Sequence, residues 1–399
     1  MEQNPFVAYR HHLDLYHRAM EAGLEDAAYV DVVNEADERV AKVQGVGFRV
    51  TPVVELKPAE VWPGWPIQRD VWAKVETANV GGSHKARHLF GLALIGLIDA
   101  ALGLGEGTAD ADLAIASCGN AALGAAVVAA GLDRSLQVFV PTDADQEVLD
   151  QLDALGAKVN ICHRQSGVDG DPCIVGLDAA VQAGAVPFTV QGPRCPDVID
   201  GGRTIGLELA DQLDRAGVDP TDIYIQIGGG ALASATMDGL ARAWPDRRLP
   251  RLHPVQAVNA HPYIAGWERM QATIGDKASD AIANGGQELK ALLAENADVM
   301  TPWPTPPHSI ASGILDDVTY DWPGVMYHQL TTGGWPIAVD EATFVIATDI
   351  AAPLVSPQPD ATGAAGLAGL LQATSDQLQG SETEAGPAVV LLTGIDRSQ

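Results

Sequence analysis

From Val71 onward the chain alternates short β-branched apolar runs with alanine-rich stretches whose apolar residues return at helical spacing. That alternation predicts parallel strands joined by crossover helices: a strand covered on both faces is apolar throughout, and a crossover helix is apolar along one side. Strands are expected at "DVWAKVE", "DLAIAS", "QVFVP", "KVNICH", "PFTVQG", "DIYIQIG", "LHPVQAV", "FVIATDI" and "AVVLLTG". Helices are expected at His84–Leu102, Ala121–Gly131, Gln146–Leu155, Pro172–Ala183 and Gly202–Ala216. Before Val50 the pattern predicts an all-helical lead-in, and the turn-rich "ADVMTPWPTPP" predicts a long surface connection. There is no internal repeat, and the length favours two α/β lobes over one.

Composition narrows the function. A hydrophobic content of 47% with 19% charged residues can fill one large core or two moderate ones. The formal net charge of -28 argues against a nucleic-acid or anionic-membrane partner, because phosphate-backbone binding needs a basic patch. Cys118, Cys162, Cys173 and Cys195 show no CxxC spacing, so reduced thiols are expected in place of a disulfide framework or zinc ribbon. The N-terminus lacks the layout of a signal peptide, and no apolar run is long enough to span a bilayer. A cytoplasmic location follows as the expectation.

Three strand-to-helix junctions carry the candidate chemistry, since helix N-terminal amides are unpaired and partly positive there. In "IQIGGGALASATMDGL" the glycines Gly228, Gly229 and Gly230 either make a tight turn or curl successive amides around a phosphate. The segment lacks both the P-loop lysine and the dinucleotide-fingerprint spacing. In "LAIASCGNAALGAAVVAA" Asn120 either caps the following helix or offers its amide to a ring hydroxyl, while Ser117 and neighbouring amides could hold a carboxylate. Cys118 has no histidine placed beside it by sequence, which counts against a nucleophilic role.

The third junction is "NVGGSHKARHLF". Lysine is scarce, at positions 42, 57, 74, 85, 158, 277 and 290, and Lys85 stands at a helix N-terminus, where the dipole disfavours a cation. A neutral amine suits Schiff-base chemistry with an aldehyde. His84 and His88 flank it at i, i+4 without a third ligand, so no metal is expected and both rings read as solvated or phosphate-facing.

Lysine after a serine-containing turn, then S-x-G-N, then a glycine triplet after a strand, resembles the pyridoxal 5'-phosphate enzymes of the tryptophan synthase β-subunit type, fold type II. "CPDVIDGGRTIGLELADQL" and "DATGAAGLAGLL" are similar to segments of threonine and serine dehydratases, "SIASGILDDVTYDW" to a region of diaminopropionate ammonia-lyase, and "VVLLTG" to the closing strand of threonine synthase. The resemblance implies a two-lobed parallel-sheet architecture with a helical lead-in. A discontinuous large domain would span 1–87 and 190–399, with a small domain at 88–189.

Carried onto this sequence, the resemblance makes Lys85 the residue that forms the internal aldimine and moves the Cα proton, with His84 beside the cofactor. Asn120 would meet the ring hydroxyl, Gly228, Gly229, Gly230 and Ala231 the phosphate, and Thr393 the pyridine nitrogen, with Asp396 as the alternative there. Ser117, Cys118, Gly119 and Ala121 would line the substrate carboxylate, and Cys118, Arg87, Thr204 and Ser312 are candidates for the side-chain pocket. A hydroxyl at the nitrogen leaves the ring a weaker electron sink than a carboxylate does, which favours prompt loss of a β-substituent over transamination. The implied activity is an amino-acid lyase that eliminates through an aminoacrylate to a 2-oxo acid and ammonia, acting on a small amino acid as a homodimer. A threonine-synthase-like or β-replacement synthase and a catalytically silent cofactor-binding scaffold are the alternatives. Cys118 stands where diaminopropionate ammonia-lyases place an aspartate, which puts that substrate in doubt.

Overall fold

The computed structural model describes the chain except residues 1–3, 105–110, 165–170, 276, 284–285, 378–385 and 398–399. The backbone groups into two compact units, one of residues 1–50 and 79–204, the other of residues 51–78 and 205–399.

The first unit is built on a parallel four-stranded sheet of β3 (Leu113–Ala116), β4 (Leu136–Pro141), β5 (Lys158–Cys162) and β6 (Val186–Pro187), in the order β5-β4-β3-β6. The first three strands are each followed by a helix, at Asn120–Gly131, Gln146–Ala154 and Pro172–Gln182, as parallel pairing requires. The last of these helices packs Cys173 and Leu177 against Ala114 and Phe139. The helical lead-in before residue 50 is present, at Pro5–Ala8, Asp14–Glu21 and Asp26–Gln44.

That lead-in belongs to the first unit, which differs from the expected division at 87/88 and 189/190. The reason lies in the packing. Phe6, Phe48 and Phe90 form one aromatic cluster with ring centroids 4.3–5.8 Å apart, tying the lead-in to the helix Lys85–Ala101. A Cβ on Gly131 would lie 2.8 Å from Val40 Cα, so the lead-in also meets the end of the helix Asn120–Gly131 at backbone distance. Residues 198–204 join the same unit because Asp200, only 2% exposed, accepts from the Asp14 and Leu15 amides at 3.0 and 2.7 Å.

The second unit holds a six-stranded sheet of β1 (Val53–Leu56), β2 (Val71–Val75), β7 (Asp222–Gln226), β8 (Arg251–Ala257), β9 (Ile337–Val339) and β10 (Ala388–Leu392). The order is β1-β2-β10-β7-β8-β9, parallel apart from the antiparallel β1–β2 pair. Two apolar clusters cover its faces, one containing Leu367, Leu370 and Phe344, the other Leu209, Met237 and Leu240. Beneath β2 lies an ionic cluster: the ammonium of Lys74 bonds Glu208, the Thr51 carbonyl at 2.6 Å and Gln212 at 3.2 Å, and the Thr51 hydroxyl reaches Glu76.

Two strand expectations are corrected. "FVIATDI" lies in the helix Glu341–Ala351, which begins where the Asp340 carboxylate accepts from the Thr343 amide at 2.8 Å. Phe344, Ala347, Ile350 and Ala351 are buried while Val345 and Ile346 are exposed, a helical period that an apolar run hides. The sheet strand there is the preceding Ile337–Val339. In "PFTVQG" only Pro187 lies in a strand, and turns follow after Phe188 donates to Ala114.

Candidate active site

In the first unit, two of the three junctions come together. Lys85 is the first residue of its helix and Asn120 the first of another, and a Cβ on Gly124 would sit 3.1 Å from the Ala86 amide nitrogen. The helix beginning at Asn120 therefore packs its backbone on the first turn of the Lys85 helix, and a side chain at position 124 would press against that turn. Gly81, at φ +69°, brings the turn before Lys85 against the same glycine.

Lys85 is half-buried, and its amide approaches the Ser83 hydroxyl at 3.4 Å. No acidic side chain lies in the first turn of its helix. Ser117, Gly119 and Asn120 are half-buried, Ala121 is buried and Cys118 is exposed. The helix cap falls at Gly119 with no side-chain cap bond, so Asn120 is not the cap that sequence reading left open.

The histidines are corrected as well. His84 is 7% exposed and His88 fully buried, their rings edge to face at 5.9 Å, so neither is solvated. Burial, with the positive charge of Lys85 nearby, depresses the His88 imidazole to about 3. The ring is thus neutral, with Nδ1–H donating to the Val198 carbonyl at 2.9 Å. Arg87 and Thr204, offered for the side-chain pocket, are both fully buried and bond each other at 3.1 Å; Ser312 is exposed. They tie helices together inside the first unit.

In the second unit, the parallel register brings the carboxyl ends of β2, β7, β8 and β10 to one edge of the sheet, the position where open α/β sheets take ligands. Gly228–Gly230 leave that edge after β7 and lead into the helix Ala231–Ala243. Gly230 sits at φ +97°, closed to most side chains, and a Cβ at Gly228 would overlap the Asp316 carboxylate and lie 3.0 Å from Ile314 Cα. Next to this turn, Thr393 follows β10 and is 1% exposed. Its hydroxyl accepts a hydrogen bond from the Gln226 side-chain amide at 2.7 Å.

Sequence reading missed Gln226 and Asp316. Gln226 carried a signal, a lone amide inside the apolar run "DIYIQIG", since a polar group in a strand buried on both faces must find partners. Asp316 lies on an irregular segment and carried none.

Residues 46–394 match the family described as pyridoxal-phosphate dependent enzyme. The chain belongs to that family. Within it, this pyridoxal-phosphate-dependent enzyme is 26% identical over 180 residues to the biosynthetic L-threonine dehydratase of Lactococcus lactis, covering 45% of this chain and 43% of the relative. The chain thus matches somewhat under half of that relative's length. Among solved structures it resembles a threonine deaminase from T.th., at 20% identity and TM-score 0.65 over 92% of this chain and 98% of that one. Diaminopropionate ammonia-lyase of Escherichia coli follows at 17%, TM-score 0.64, 92% and 89%. Maize serine racemase follows at 18%, 0.62, 92% and 94%. At these identities the structures establish the fold, that of fold type II enzymes.

The residues of this pyridoxal-phosphate-dependent enzyme fit its cofactor. A glycine turn, with Gly230 at positive φ, opens a 13-residue helix whose cap residue has no side chain, which leaves the backbone open to close approach by a phosphate. A lysine heads a helix with no acid in its first turn, and a buried hydroxyl stands beside the glycine turn.

Proposed function

We propose that the chain is an amino-acid lyase that removes a β-substituent from a small amino acid and releases a 2-oxo acid and ammonia. The observation carrying this reading is the buried Thr393 hydroxyl, a neutral partner for the cofactor's pyridine nitrogen. Bound pyridoxal phosphate supplies an electron sink conjugated to the substrate Cα. Lys85 would hold the cofactor through its amine until the substrate's own amine displaces it, and the freed Lys85 amine would then take the Cα proton while the β-substituent leaves with its bonding pair. Water completes the reaction by hydrolysing the released enamine, or its imine tautomer, to 2-oxo acid and ammonia.

Gly228, Gly229, Gly230 and Ala231 bind the phosphate through their amides, Asn120 meets the ring hydroxyl and His84 lies against the cofactor. Ser117, Cys118, Gly119 and Ala121 take the substrate carboxylate. Thr393 is preferred to Asp396 at the nitrogen because it is the more deeply buried, and the Asp396 amide is drawn to the Gln358 carbonyl at 2.9 Å. We also place the enzyme in the cytoplasm as a homodimer. Four free thiols are in keeping with a reducing compartment, and the dimer rests on the family resemblance.

The test is a product screen on the holoenzyme with serine, threonine and their O-esters. Ammonia and 2-oxo acid from one amino acid alone support elimination; turnover that requires a second substrate, or yields the opposite enantiomer alone, overturns it. Lys85→Ala is expected to lose the visible absorbance of the bound cofactor and all turnover with the circular dichroism unchanged.

A further inference from the structure

We propose that Gln226 is a positioning residue that fixes the Thr393 hydroxyl as a hydrogen-bond donor; the inference rests on the reading of Thr393 given above. Gln226 is 3% exposed at the carboxyl end of β7, directly before the glycine turn. Its side-chain nitrogen lies 2.7 Å from Thr393 Oγ1, 3.1 Å from the Thr362 carbonyl, 3.2 Å from that of Gly363 and 3.4 Å from that of Leu391. Three carbonyls are acceptors only, so the amide must turn its NH2 toward them, and the reverse orientation would set oxygen against oxygen.

One amide hydrogen therefore goes to Thr393 Oγ1, which acts as acceptor in that bond. The hydroxyl's own proton is left to donate, and the structure gives it no protein acceptor among the described residues. A buried donor without an acceptor is costly unless a ligand supplies one. The matching ligand atom is an unprotonated ring nitrogen. A carboxylate would favour a protonated nitrogen; Thr393 held this way favours the unprotonated one, because its oxygen keeps a second lone pair but its own proton has no other acceptor among the described residues. Gln226 thereby sets the protonation state of the nitrogen that Thr393 meets. Gly366 makes the arrangement possible, since a Cβ there would lie 2.7 Å from the Tyr224 carbonyl and 3.2 Å from Gln226 Oε1.

The test is a double-mutant cycle in pyridoxal-phosphate affinity, with the thermal midpoint of each apo-protein measured in parallel. Gln226→Leu and Thr393→Val are each expected to weaken cofactor binding roughly five- to tenfold, and the double variant no further than Thr393→Val alone. Losses that multiply in the double variant overturn the inference, because Gln226 would then act without Thr393. So does a lowered thermal midpoint in Gln226→Leu with unchanged cofactor affinity. Gln226→Leu adds a spectroscopic arm: with no amide hydrogen holding its lone pair, the Thr393 hydroxyl is free to turn and accept from a protonated ring nitrogen, so the visible band should titrate at higher pH than in wild type. An unchanged titration in a Gln226→Leu protein that binds the cofactor also overturns the inference. Failure of the wild-type chain to bind pyridoxal phosphate, or binding with an unaltered visible band in Lys85→Ala, sinks the underlying reading, whatever Gln226 does.

Discussion

Lys74 offers the most demanding check on the energetics of the second unit. Its side chain and that of Glu208 are both 0% exposed, and the three ammonium hydrogens match three acceptors, on Glu208, Thr51 and Gln212. Lys74→Met keeps the volume and removes the charge. Glu208 then keeps the Thr51 amide at 3.0 Å but loses the ammonium that balanced it, the one Thr51 hydroxyl proton being directed to Glu76. Breaking a buried pair from one side costs about 3–5 kcal/mol, whereas replacing both partners by apolar groups is often close to neutral. Lys74→Met and Glu208→Leu should therefore each lose about 3–5 kcal/mol, and the double variant markedly less than their sum. All eight tryptophans lie in the second unit, so tryptophan fluorescence during urea denaturation of the full-length apo-protein reads that unit selectively. Additive losses in the double variant would refute the argument, because they would mean that the two charges do not depend on each other.

Further expectations follow from single features. A Cβ on Gly201 would overlap the Arg87 carbonyl and approach Gly91 Cα at 3.2 Å, so Gly201→Ala should destabilise by about 1–3 kcal/mol in denaturant titrations and weaken cofactor binding by shifting the Lys85 helix. Burial raises the Asp360 carboxyl from 3.8 to about 6, so the folded state holds this proton more tightly than the unfolded chain. Its contribution to stability is fully present below about pH 3.8 and lost as pH rises through about 6; Asp360→Asn should flatten the stability–pH curve across that window, and an unchanged slope would remove Asp360 as its source. Cys118 is exposed, whereas burial raises the thiols of Cys173 and Cys195, so mass spectrometry of the native protein treated with a thiol reagent should find Cys118 labelled first.

The three junctions were legible because glycine and small residues are required wherever backbone must approach backbone or anion. Gly228–Gly230, the S-C-G-N loop and Lys85 each stand at a strand-to-helix transition as read. What the sequence could not show was long-range pairing. The Gln226–Thr393 contact joins residues 167 positions apart, and only the adjacency of β7 and β10 brings them together. The buried His88 ring donates to the Val198 carbonyl, 110 positions away. "FVIATDI" misled because a run of apolar residues conceals its period, and the capping aspartate at 340 was the decisive local cue.

The helix Asn120–Gly131 has ten of its 12 residues buried. Such a rod has no solvent side to absorb an indel. Inserting one residue would turn its leading end by about 100° relative to its trailing end, swinging the S-C-G-N tip away from the Lys85 turn or unseating Gly124 and Gly131. Variation in this part of the molecule is therefore channelled into the identities of residues 117–119, while the length of the rod behind them stays locked in phase.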